Sequence, residues 1–406
     1  MKSMLVVIVC LLLCADSAFA QEKETNPETT FDLGELVVTA TRIEEPAKSI
    51  ASSVYVISDK KIAQENIIFA KDALRLAPGM DIVQTGGFGG PTSCFIRGAE
   101  RRHTLVMIDG IKVSDPIAVD GAFDLTNVTT DNISKIEIVR GPQSALYGSD
   151  AIGGVVNILT KKGEGKPSVS FSQEMGSFNT YRESAQIQGQ SNIAHYSLAF
   201  SKTDSQGFSQ AREKDNNPEN DPYHNTSFSG RMDFDITDST TAGAIARYTH
   251  AKFEYDDAGG PGGDDPNLYQ KQDQTMFSFY FAQKILDFWK HKITYGFIEN
   301  KRRDFDESDV SDNGEYLRDW YDGKSYQFDW QNDFSIGKVD TLIFGIAHMK
   351  EEGDSYYYNV HPIYGVTETD QPKSIARTTG YYLENRFHPD KSFSATQGVR
   401  VEKHQL

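Results

Sequence analysis

From residue 168 onward the chain alternates apolar and polar side chains in stretches of strand length. Val169, Phe171 and Met175 alternate with Ser170, Ser172 and Glu174, and Phe228, Met232, Phe234 and Ile236 alternate with Arg231, Asp233 and Asp235. The pattern returns at Phe277, Phe279 and Phe281, at Ile293, Tyr295 and Phe297, and at Tyr326, Phe328 and Trp330. Successive side chains on a strand point to opposite faces, so each stretch predicts a strand with one apolar and one polar face. About ten or eleven such strands fit between residue 163 and the last residue. Short links at 191–192 and 237–239 alternate with long polar ones at 211–226, 256–274 and 307–320. A transmembrane β-barrel has short turns at one rim, long loops at the other, an apolar outside and a polar inside. A β-sandwich gives the same alternation; the regular exchange of short and long links favours the barrel.

The pattern before residue 163 is different. Residues 58–63 and 70–76 have helical composition, the second stopped by Pro78-Gly79, while 53–57, 104–108 and 135–139 have strand composition. Ile136 and Ile138, then Val155, Val156, Ile158 and Leu159, form two β-prone runs around Gly141-Pro142, Gly148 and Gly153-Gly154. That predicts two strands joined by a tight, glycine-rich connection. Ahead of this α/β unit, a polar stretch at 21–34 leads into the β-prone octet 35–42, which starts Glu35, Leu36, Val37, Val38, Thr39, Ala40. Such an octet with nothing nearby to pair with is a candidate for strand addition to another protein's sheet edge. The other reading is an ordinary first strand.

Composition narrows the classes. After the first twenty residues no apolar run approaches the ~18 residues of a spanning helix, so any membrane crossing falls to strands. A net charge of −17 argues against binding nucleic acid through its phosphates. Lys2, the apolar run 4–13 and Ala18-Phe19-Ala20 read as a secretory signal peptide over residues 1–20. Two of the three cysteines lie there, so the mature chain keeps only Cys94 and has no internal disulfide. There is no His-Glu-x-x-His, Cys-x-x-Cys or Gly-x-Ser-x-Gly, and no catalytic residues are assigned. An outer-membrane protease or lipase would need catalytic residues at one barrel rim, where His224, His250 and Asp256 can be imagined.

Residues 140–158, Arg140-Gly-Pro-Gln-Ser-Ala-Leu-Tyr-Gly-Ser-Asp-Ala-Ile-Gly-Gly-Val-Val-Asn-Ile158, resemble the end of the plug domain of TonB-dependent outer-membrane receptors, the cobalamin receptors of that family above all. The segments 74–82, 95–98 and 105–112 match other plug segments in the same order, and the octet resembles the family's Ton box, here Glu35, Leu36, Val37, Val38, Thr39 and Ala40. The resemblance implies a mainly β protein with an α/β plug domain inside a transmembrane antiparallel β-barrel. The domains are then a signal peptide (1–20), a disordered tether with the Ton box (21–45), the plug (46–163) and barrel wall (164–406). A plugged barrel has about 22 strands, so the chain reads as the front half of a receptor, truncated or split. The implied activity is energised import of a scarce, bulky metal chelate, cobalamin-like or alternatively a ferric siderophore. TonB would be the partner, and the lipids of a Gram-negative outer membrane the surroundings. A surface adhesin is the rival of another class.

Loops at 86–91 and 114–123 fall where the family has the outward top of the plug. Pro91, Ser93, Glu100, Val119 and Asp120 fall at ligand-contacting positions of the cobalamin receptors; Ser93 and Val119 keep the residue type and the others depart. The acidic loops 215–221 and 255–266 join hard oxygen ligands to glycine turns, as Ca²⁺ sites do. Glu219, Asp221, Tyr255, Asp256 and Asp265 match calcium-loop positions of the cobalamin receptors. Solvated acidic loops are the plain alternative.

Overall fold

The computed structural model describes residues 37–46, 50–209, 220–256, 265, 267–308, 315–337, 339–361, 363–389 and 393–405. The expected signal peptide, the polar stretch 21–34, Glu35, Leu36 and Glu219 lie outside them.

A short ladder joins β1 (Val37–Val38) to β2 (Glu45–Pro46). The strands of the α/β unit follow: β3 (Ser53–Ser58), β4 (Met80–Gln84), β5 (Thr92–Ile96), β6 (Thr104–Ile108), β7 (Ile111–Val113), β8 (Ile133–Arg140) and β9 (Gly154–Thr160). Five of them make one sheet in the order β3-β8-β9-β6-β7, parallel only between β6 and β9, and β4 and β5 pair separately. β9 is the central strand, covered on both faces, which is why Val155, Val156, Ile158 and Leu159 put apolar side chains on both, with Asn157 the one polar residue among them. Val155, Val156 and Ile158 are buried, as are Ile57, Leu74, Ile96, Ile136 and Ile138 around them. Each such side chain contributes about 1.5–3 kcal/mol of burial. The helix Asp59–Gln64 starts where Ser58 accepts from the Lys61 N–H and Asp59 sits at the positive end of the dipole.

The link between β8 and β9 is wider than the tight connection expected. It carries a helical turn, Ser144–Tyr147, and a 3-10 turn, Ser149–Ala151, hinged at Gly148 with φ +90°. Leu146 gives the reason: it is buried with Ile343 and Tyr382 of the wall, and a two-residue turn would not reach them.

The wall is one antiparallel sheet of eleven strands in sequence order. These are β10 (Ser168–Gly176), β11 (Thr180–Ser191), β12 (Ala194–Ser205), β13 (Tyr223–Thr237), β14 (Thr240–Glu254) and β15 (Tyr269–Leu286), then β16 (Trp289–Asp306), β17 (Tyr316–Ile336), β18 (Asp340–His361), β19 (Gly365–Phe387) and β20 (Ala395–Gln405). Its alternation is the expected one. Phe200, Phe228, Phe279, Phe328 and Tyr381 are exposed on the outer face, while Ser197, Ser227, Asp233, Asn300 and Ser325 are buried on the inner. Crossing a bilayer takes ~9–11 residues of strand. β15 to β19, with 18 to 23 residues each, are about twice that length.

The α/β unit packs into the concave face: Met276 and Ile298 of the wall belong to its core cluster. Close approach needs glycine. A Cβ on Gly296 would lie 2.8 Å from the Ile111 side chain, and one on Gly398 would lie 2.6 Å from the Ala145 Cβ.

Candidate functional site

Two groups of residues meet the wall at opposite rims. The first is the segment 39–45. The sequence places it in a free tether, whereas the structure seats it. The Glu137 Oε2 accepts from the main-chain N–H of Thr39 (2.8 Å) and Ala40 (2.7 Å) and from the Thr39 hydroxyl (3.1 Å). Asn157 donates to the Thr39 hydroxyl, and the Tyr147 hydroxyl donates to the Ala40 carbonyl at 3.1 Å. Ala40 and Thr41 are buried.

The wall holds the next residues. Arg42, in the left-handed region at φ +72°, donates to both Asp329 oxygens at 2.9 Å and to the Tyr382 hydroxyl at 3.0 Å. Its guanidinium lies between the rings of Tyr147 and Tyr382, 4.7 and 4.3 Å from their centroids. Gln331 donates to the Arg42 carbonyl, and Arg386 donates to the Thr41 carbonyl and pairs with Glu45 at 2.9 Å. Arg386 is one residue from the end of β19, and Phe387 pairs with Asp340, the residue at which β18 leaves its short link from β17, so this clasp sits at the rim of the short turns that also join β11 to β12, β13 to β14 and β15 to β16. Beside it a cavity of about 1150 Å³ is lined by Lys112, Asp150, Arg231, Lys292, Asp329 and Glu402 among others.

The second group is the apex of the α/β unit. Phe88 stacks on Tyr223, the first residue of β13, at 6.0 Å, and Asn127 accepts from the Tyr223 hydroxyl and donates to Gln272. Asn300 donates to the Ser114 carbonyl, and Ser114 donates to Glu351. Tyr223 follows a long link, so the apex faces the long-loop rim. Of the expected ligand residues, Ser93 and Asp120 are brought together by Arg101, which the sequence reading missed. Its Nη1 donates to Ser93 Oγ at 3.2 Å, and its Nε and Nη2 bind Asp120 in a fork. The hydrogen bond from Arg101 holds the Asp120 carboxyl below its usual range. Glu100 instead pairs with Arg102 at 2.7 Å, Pro91 is exposed, and Val119 stands fully in solvent. Asp124 fastens the loops by accepting from the N–H groups of Thr92 (3.0 Å) and Thr126 (2.9 Å). Burial pushes the carboxyls of Asp115 and Asp124 upward.

Of the acidic loops, Asn220, Asp221, Tyr255, Asp256 and Asp265 are among the described residues. Asp256 accepts from the Asp265 N–H at 3.1 Å, and Asp265 accepts from the N–H groups of Asn267 and Leu268 at 3.2 Å. The Glu254 N–H donates to the Pro222 carbonyl, which ties the neighbour of Asp221 to the same place. The Tyr255 hydroxyl turns away to Asp304 at 3.1 Å. Among the described residues no three His, Cys, Asp or Glu side chains are spaced to hold a metal ion. His224 and His250 pair with Asp204 (2.7 Å) and Asp273 (2.9 Å), so neither joins Asp256 in a common site.

A stretch that docks at one rim while carrying exposed loops at the other is a plug by geometry. Residues 46–155 match the family model of the TonB-dependent Receptor Plug Domain. The plug and wall together are similar in fold to solved outer-membrane receptors. The ferric yersiniabactin uptake receptor of Yersinia pestis superposes with TM-score 0.71 at 16% identity, over 87% of this chain and 56% of that one. The ferripyoverdine receptor of Pseudomonas aeruginosa gives 0.72 at 14%, over 91% and 54%, and the ferric citrate transporter FecA gives 0.68 at 17%, over 88% and 57%. At these identities the likeness is one of fold. The chain spans between 52% and 62% of the length of the receptors it resembles.

Proposed function

We propose that this chain acts in the outer membrane of a Gram-negative bacterium as the plug and adjoining wall of a TonB-dependent receptor importing a bulky metal chelate. One observation carries the reading: the segment 39–45 is clasped at the short-turn rim of the same folded plug whose apex loops stand at the long-loop rim. A ligand bound outside and a force applied inside therefore act on one body. A filled wall passes no bulky solute by diffusion, so work from TonB at 35–42 has to rearrange the plug. The chemistry is transport, and no side chain is assigned a catalytic role.

A ferric siderophore is the favoured ligand class, because the receptors of like fold named above handle ferric chelates. Cobalamin is the second reading, supported by Ser93 and Val119, which keep the cobalamin receptors' residue types and both stand at the apex. Titration with ferric siderophores of several chemical types and with cyanocobalamin decides. Saturable binding of a siderophore and none of the cobalamin is expected; the opposite result reverses the choice.

Ca²⁺ belongs to the same proposal. Asp221, Asp256 and Asp265, with Glu219 and Tyr255 as the other matched positions, offer the hard oxygens such an ion takes, and neutralising the carboxylates would fix the two acidic loops. Ligand affinity is expected to rise with Ca²⁺ at constant ionic strength, and Asp256→Asn with Asp265→Asn to remove that rise. Equal affinity in Ca²⁺ and in chelator would return these loops to solvated surface.

A further inference from the structure

Strand addition takes main-chain N–H and C=O groups, so what already holds those groups in the docked segment decides how it can be captured. Val37 and Val38 are laddered to Pro46 and Glu45. The next two N–H groups, of Thr39 and Ala40, both end on one carboxylate oxygen of Glu137. The Ala40 and Thr41 carbonyls end on Tyr147 and Arg386. Glu137 is an unusual residue to find in the middle of β8. It has no exposed surface, its neighbours Ile136 and Ile138 are buried, and its second oxygen is paired with Lys135 Nζ at 2.8 Å. A buried carboxylate is stable only while donors surround it, and charge-assisted bonds of this kind are about twice as strong as neutral ones. When residues 39–40 leave, Glu137 loses three donors at once and keeps the lysine.

We propose that Glu137 is the plug's catch on the Ton box: its carboxylate occupies both the Thr39 and the Ala40 N–H, and a strand-adding partner, which takes the N–H groups of alternate residues, needs one of the two, so Glu137 and TonB compete for that donor. The inference rests on the transport reading and adds a positioning residue to it. The clasp is then divided by function. Asp329 and Arg386 fasten residues 41–45 to the wall, while Glu137 keeps 39–40 out of reach of a partner. Undocking at Glu137 exposes the main-chain edge before any wall contact has to break.

The test is the affinity of the periplasmic domain of TonB for the full chain, parent against Glu137→Gln. The amide keeps the shape and removes the charge. TonB is expected to bind the variant about tenfold more tightly, which is ~1.4 kcal/mol. Ligand affinity should not change, and Cys94, buried and free in the plug core, should stay unlabelled by a thiol reagent. A merely structural role for Glu137 would instead lower ligand affinity and expose Cys94. Equal TonB affinity for parent and variant, with Cys94 protected in both, overturns the proposal. Should the variant unfold the plug, hydrogen exchange in the parent decides: slowed amides at Thr39 and Ala40 support the catch, and exchange at unprotected rates overturns it. If TonB binds neither form, the transport reading fails, while the amide exchange still tests the catch.

Discussion

Uptake should fall to background when residues 35–41 are deleted, with ligand affinity held within about twofold of the parent, the range of a substitution that touches no binding contact. The reason lies in the separation of the rims. The described part of the segment contacts Glu137, Asn157, Tyr147 and Arg386, and among the described residues Ser93, Arg101 and Asp120 of the apex share no hydrogen bond with it. Val37→Pro should come close to the deletion. Proline has no N–H to give a partner strand and is tolerated only at edges, so an uptake loss of at least about tenfold is expected. Uptake of radiolabelled ligand by cells carrying each variant checks both. Unimpaired uptake by the deletion would leave this segment with a structural role alone.

The wall was legible in the sequence because its signal is local. In β13 the period of two puts Phe228, Met232 and Phe234 on the exposed face and Ser227, Ser229 and Asp233 on the buried one, as their order along the chain requires. The plug's helix starts and central strands were equally legible, since Ser58 caps its own helix and β9 is apolar but for Asn157 and Thr160. The clasp was not. Its contacts join residues 98, 287 and 345 positions apart, and no periodicity connects such residues. The period of two sets Glu137 on the face opposite Ile136 and Ile138, and nothing local tells that this face is covered too and that the carboxylate meets main-chain donors. Arg42 looked like the polar end of a β-prone octet, and two tyrosines from separate elements enclose it. At the apex the signal for Arg101 was present as the run Arg101-Arg102-His103, but nothing in the run told which cation faces Asp120. The ordered segment 37–46 follows from the same long-range contacts: the octet finds partners within its own chain, supplied by residues the fold brings to it.

Asp329→Ala should open Arg42 to trypsin. In the parent the Arg42 side chain is 13% exposed, held by two bonds to Asp329 and by the hydroxyl and ring of Tyr382. Removing one partner of a buried pair costs about 3–5 kcal/mol, because the other charge is left without compensation. Asp329 is itself 24% exposed, so water softens the loss and the low end applies. A shift of about 3 kcal/mol moves the docking equilibrium roughly 100-fold toward the free segment. Cleavage after Arg42 should then run at least about tenfold faster in the variant. N-terminal sequencing of the product at timed intervals measures it, with Cys94 labelling as the check that the plug stays folded. Tyr382→Phe separates the contributions. It removes the hydroxyl that accepts from Arg42 and donates to Asp329 at 3.1 Å, and it leaves the ring beneath the guanidinium. Its cleavage should rise by less than that of Asp329→Ala. Equal rates in all three chains would mean that the ion pair bears no part of the docking, and that the hold on residues 41–45 comes from Arg386 and Gln331 instead.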